Sequence, residues 1–128
     1  MDKSKVTLIA RVVLGGAMVV FGLNGFLQFM QMPPLPAPAM DLMGAFARTG
    51  YFFPVLKLAE IVAGAMVLSG FFLPLGLLIL APILLHIILF HLFLAPGLSG
   101  MVLPLVLVLA ELYLAKENMD VFGPILKK

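Results

Sequence analysis

Residues 61–110 read "IVAGAMVLSGFFLPLGLLILAPILLHIILFHLFLAPGLSGMVLPLVLVLA" and contain no Lys, Arg, Asp or Glu. As one helix this run would extend roughly 75 Å at ~1.5 Å per residue, whereas a bilayer's hydrocarbon core is only about 30 Å thick. It must therefore fold back on itself in or beside a membrane. Its punctuation shows where. Ser69-Gly70 followed by Pro74 marks one tight turn and Pro96-Gly97 a second, because proline lacks the amide that a continuing helix needs. Pro82 and Pro104 fall inside segments. Membrane helices tolerate such prolines, since neighbours satisfy the freed carbonyl.

Upstream, an apolar stretch from Val6 to Met30 stops at the cluster Pro33, Pro34, Pro36 and Pro38. The sequence thus predicts an all-α protein, a four-transmembrane-helix bundle forming one membrane domain, with spans over about 6–30, 51–71, 75–95 and 100–115. Strands of a membrane barrel would be ~10 residues of alternating polarity, and nothing here alternates in that way. Composition agrees: of 128 residues 63% are hydrophobic and 11% charged, against about 25% charged in a soluble domain. The first stretch exceeds the ~7–15 apolar residues of a signal peptide, so it is expected to remain as a span.

Lys3, Lys5, Arg11, Lys116, Lys127 and Lys128 lie at one side of a four-span topology, and only Arg48 and Lys57 near the other. Basic residues mark the inner side, so both termini are expected to be cytoplasmic in a bacterial-type inner membrane. The net charge of +2 is then a topology signal. No basic patch with interleaved aromatics points to nucleic acid. Residues 39–50, "AMDLMGAFARTG", place Met40, Met43 and Phe46 at helical spacing with Asp41 and Arg48 as polar members and Gly50 as a stop. They predict a short interfacial helix on the outer face. The tail "NMDVFGPILKK" is expected to lie along the cytoplasmic headgroups.

The chain has no cysteine, which excludes thiol–disulfide chemistry and cysteine-ligated clusters carried by the protein itself. There is no phosphate loop, dinucleotide fingerprint or arguable serine–histidine–acid set. Gly15, Gly16, Gly22 and Gly25 read as helix-packing residues. What chemistry remains rests on the few polar residues in the spans. Counting at ~1.5 Å per residue gives Arg11 and Glu111 a shared depth of roughly 7–8 Å from the inner face, where a lone charge is expensive. They are expected to form a structural ion pair. Lys57 lies roughly 9 Å and Glu60 roughly 13 Å below the outer face; His91 lies about 6 Å and His86 about 13 Å below it. Asn24 and Gln28 close the outer end of the first span.

Lys57 is long enough to snorkel to headgroups, whereas Glu60 is too deep and too short and must face protein or a cavity. Gly64, one turn further along the same face, marks where another helix approaches. His86 and His91 are ~140° apart on one helix, so they do not chelate a metal together, and bis-histidine haem needs two helices. The expected arrangement is an outward-opening polar pocket of Glu60, His91, His86, Lys57, Asn24 and Gln28, with Glu60 bonded to a histidine or to Lys57, its i,i+3 partner. No metal is expected.

Arg11 with Leu14-Gly15, "FGLNGF" at 21–26, "MPPLPAP" at 32–38, "TGYFFP" at 49–54, "LAEIVAGAMVLSG" at 58–70, "LLILAP" at 77–82, "LFHLFLAP" at 89–96 and "LVLAELYLA" at 107–115 follow one another in order. In this the chain resembles the DoxX family of small four-helix membrane proteins over nearly its full length. Many relatives carry His-Gly-x-x-Lys in the first span. Here the place reads Phe21-Gly22-Leu23-Asn24-Gly25, so a role tied to that His and Lys does not carry over. The resemblance implies a membrane partner of redox enzymes, without a cofactor or independent catalytic activity of its own. It would interact with a quinone through Glu60, His91 and Asn24. The alternatives are a small proton-coupled carrier or permease using Glu60, or a purely structural assembly protein. Partners to expect are the bilayer, a redox-enzyme subunit and further copies of the chain as a homo-oligomer.

Overall fold

The computed structural model describes residues 2–29 and 34–126. Pro33, Lys127 and Lys128, used above for the first stop and for charge asymmetry, lie outside the described residues. The described residues form six helices: α1 (Lys3–Leu27), α2 (Ala37–Arg48), α3 (Phe52–Ser69), α4 (Leu73–Phe93), α5 (Leu98–Glu117) and α6 (Met119–Leu126). No strand occurs among the described residues. α1, α3, α4 and α5 are long and apolar enough to cross a membrane. The protein is an all-α four-helix bundle with two short additional helices.

Helix ends depart from hydropathy where polar groups cap the backbone. α1 starts at Lys3 because the Asp2 carboxylate accepts from the Ser4 amide (3.3 Å) and hydroxyl (2.9 Å), serving as N-cap. It ends at Gln28, which adopts a left-handed conformation (φ 52°) with its amide on the Asn24 carbonyl. The turn expected at Ser69-Gly70 is a three-residue connection, with Gly70 left-handed (φ 85°) and its amide bonded to the Met66 carbonyl. Asn118 closes α5 by donating its side-chain amide to the Leu114 carbonyl at 2.7 Å, and α6 begins at the next residue.

The long helices form a ring in the order α1, α3, α4, α5, each packed on its neighbours, with α5 returning to α1. Leu14, Met18, Val67, Leu80, Leu84 and Leu114 fill the centre. The outward faces are as apolar as the centre: Leu8, Leu85 and Leu109 are all more than half exposed. Such a surface belongs against lipid.

The tightest seam is α1 on α3, and glycines make it. A Cβ at Gly15 would lie 2.6 Å from the Leu68 amide nitrogen; one at Gly64 would lie 2.9 Å from the Gly15 carbonyl oxygen; one at Gly22 would lie 2.9 Å from the Lys57 carbonyl oxygen. Only backbones without side chains at these points approach so closely. Gly25 seats the aliphatic stem of Lys57. Gly16, expected to share this role, faces open space, with nothing within 4 Å of an added Cβ. Its neighbour Gly15 takes the seam, and the next residue along is rotated away from it.

The interfacial helix forms as α2 with a different buried face. Ala39 is fully buried, Met43 and Phe46 are partly buried, and Met40 is 54% exposed, so Met40 leaves the expected set. Phe46 stacks on Phe52 with centroids 3.9 Å apart and also touches Phe53. α2 is thereby fixed to the start of α3. The expected cytoplasmic tail forms α6.

Candidate functional site: two buried glutamates

α3 carries the first charged group. Lys57 and Glu60 are one turn apart on the face turned to α1, where Gly22 and Gly25 leave room. Their Nζ and Oε2 atoms are 3.3 Å apart. Glu60 is 3% exposed, while the Lys57 side chain keeps 25% of its surface. The lysine thus lies flat along α1, anchored at its tip by the carboxylate. An ammonium has three donors. Glu60 takes one.

The histidines stay apart from this pair. His91 places Nδ1 2.9 Å from the Ile87 carbonyl oxygen of its own helix, and His86 is exposed, meeting the ring of Phe46 at 6.2 Å. Neither is bonded to Glu60; of the two expected partners it is Lys57 that holds the carboxylate. The one-turn spacing from Ile87 to His91 offers the imidazole a local carbonyl, and His86 stands beside Phe46 of α2. Gln28 is the exposed cap of α1 and not a pocket residue; Asn24 is half-buried. Glu60 lines neither of two clefts in the bundle. The outer cleft is apolar, formed by residues such as Tyr51, Phe52, Val55 and Ile83. Of the residues expected in an outward-opening polar pocket, Lys57 and Glu60 are joined as a buried ion pair with an accessible lysine.

At the end of the bundle where α1 begins, the expected Arg11–Glu111 ion pair is not formed. Arg11 donates Nε to the Val67 carbonyl (3.1 Å) and an NH2 proton to the Leu68 carbonyl (3.0 Å). These carbonyls belong to the last turn of α3, where no following amide reaches them and the helix dipole is negative. A guanidinium suits that end as well as it suits a carboxylate, and the glycine seam holds α1 close enough for the contact. Arg11 thus caps α3 from another helix.

Glu111 is left alone. It is 8% exposed, and its Oε1 is buried without a hydrogen-bond partner. It borders a cavity of about 470 Å³ between α4 and α5, closed at one end by α6. Every other lining residue is Leu, Ile, Val, Ala, Met or Phe. α1 and α5 are joined elsewhere, by Thr7 and Tyr113 hydroxyls 3.3 Å apart and by Lys3 with Glu117 at 3.1 Å. The described residues contain no group of three or more His, Cys, Asp or Glu able to hold a metal.

Sequence reasoning missed the Arg11 acceptors, the cavity and the Lys3–Glu117 pair. The last was within reach, since both residues stand at the inner helix ends. Comparisons with known proteins add no relative: no protein-family model matches the chain, and neither a curated protein nor a solved structure does.

Proposed function

We propose that the chain is an accessory membrane subunit of a redox system, related to the DoxX family, that interacts with a quinone and carries no redox cofactor of its own. The observation behind this reading is Lys57. Its ammonium is tethered to Glu60 and partly exposed, and of its three donors one is directed at the carboxylate. Quinones are flat apolar molecules whose carbonyls accept hydrogen bonds, and a fixed donor among apolar side chains is what holds such a molecule in lipid. Tyr51, Phe52, Val55 and Ile83 line a separate apolar cleft towards α4, on another side of α3 from Lys57. The proposed setting is a bacterial-type inner membrane, with both termini cytoplasmic and Lys57 in the outer half.

Native mass spectrometry of the chain in mild detergent tests this. Retained quinone that is lost in Lys57→Gln supports the reading. Substrate-dependent proton flux in vesicles, without quinone, would make the chain a carrier instead. Neither result would leave an assembly protein.

A further inference from the structure

Arg11 is engaged by α3, and this leaves a carboxylate in the inner half of the bundle with one oxygen, Oε1, that no described residue satisfies. Glu111 lies six residues before the end of α5, roughly 9 Å from the inner face. Its Oε1 is fully enclosed and unbonded. An ionised carboxylate is acceptor-only, so whatever completes it must donate. A lone charge at such depth is among the least favourable arrangements in a membrane protein, and charged residues there face a pathway or a binding site.

The surroundings define the rest of the donor. The cavity beside Glu111 holds about 470 Å³, within the range of small-molecule pockets, and among the described residues its lining has no second ionisable group. Its lips are Leu78, Leu85 and Leu112, each 52–60% exposed on the bundle's lipid-facing side. α6 closes one end with Met119 and Phe122. Access is sideways from the bilayer, and the occupant must be apolar along its length. We propose that this cavity binds a lipophilic amine: an elongated apolar body with one protonated nitrogen that donates to Glu111.

The head group follows from the carboxylate. An ammonium supplies the missing hydrogen bond and cancels the charge in a low-dielectric site. An alcohol supplies only the first, and a fatty acid adds a like charge. This site is separate from Lys57 and Glu60 and does not depend on the quinone reading.

The test compares three ten-carbon probes, decylamine, decanol and decanoate, added to the purified full chain in mild detergent and read as retained adducts by native mass spectrometry. The wild type should retain the amine about tenfold better than either other probe, the low end for one charge-assisted hydrogen bond. Glu111→Gln keeps the shape, removes the charge and should abolish the preference. Ala115→Phe fills the cavity while leaving the carboxylate, and should lose all three probes. Circular dichroism melts establish that each variant is folded, and if one is not, the other carries the comparison. Equal retention of the three probes by the wild type overturns the proposal, because the cavity then holds any acyl chain. An amine preference that survives in Glu111→Gln, or retention unchanged by Ala115→Phe, overturns it as well.

Discussion

Adding one methyl group to either of two adjacent glycines should have opposite effects. In Gly15→Ala the new Cβ would stand 2.6 Å from the Leu68 nitrogen and 2.7 Å from the Gly64 oxygen, both backbone atoms of α3. Ordinary contact begins near 3.4 Å, so α1 and α3 must part by about 0.8 Å. Backbone cannot rotate away as a side chain can. The separation also lengthens the Arg11 bonds to Val67 and Leu68, one turn away at 3.1 and 3.0 Å. Overpacking of this kind costs about 1–3 kcal/mol. In Gly16→Ala the methyl meets nothing within 4 Å, and only the helix-propensity gain of up to about 1 kcal/mol remains. The two variants should thus differ by about 2 kcal/mol or more. Thermal melts in one detergent, followed by circular dichroism, read the difference directly. Equal melting of the two, or a less stable Gly16→Ala, would refute the glycine seam as the element that sets the α1–α3 distance.

Arg11→Ala should destabilise the bundle by about 2–3 kcal/mol, as expected for hydrogen bonds from a charged donor. Combining it with Glu111→Gln should give additive effects within ~0.5 kcal/mol, whereas rescue in the double variant's melt would mean that the two charges pair after all. Glu111→Gln alone should be neutral or stabilising by about 1 kcal/mol, because it removes a buried orphan charge; a large loss in the melt would reveal a partner for that charge. Lys57→Met strands Glu60 and should cost about 3–5 kcal/mol, while Lys57→Met with Glu60→Gln should recover most of that loss in the same assay. For the proposed orientation, a tag after residue 128 should be protected in intact spheroplasts and one between residues 36 and 37 should react; a reactive C-terminal tag would reverse it.

The span count was legible because hydropathy and proline carry it. The fifty-residue charge-free run cannot be one helix, and its turns fall where Gly70 and Pro96-Gly97 stand. Boundaries shifted by two or three residues where caps decide, as with Asp2 and Gln28. The glycines were legible as a group but not singly, since Gly15 and Gly16 differ only in helical phase. Pairing Arg11 with Glu111 by depth failed for a clear reason. Depth fixes height along the bundle but not direction around it, and backbone carbonyls compete for arginine without any side-chain signature. The same ambiguity hid the separation of His86 and His91 from Glu60. The 470 Å³ cavity was beyond reading from sequence, because leucines that line a void and leucines that fill a core are the same letters.

The capping of α3 by Arg11 also sets an order of events during synthesis. The carbonyls that Arg11 needs lie 56 and 57 residues further along the chain. At ~5–20 residues per second, α1 precedes them by roughly 3–11 s. Over that interval its guanidinium has no acceptor from α3, so α1 gains by staying beside water or the insertion machinery until the second span arrives. The first span is then not an independent insertion unit. The α1–α3 hairpin enters as a pair, and a chain halted before Leu68 should remain extractable from the membrane.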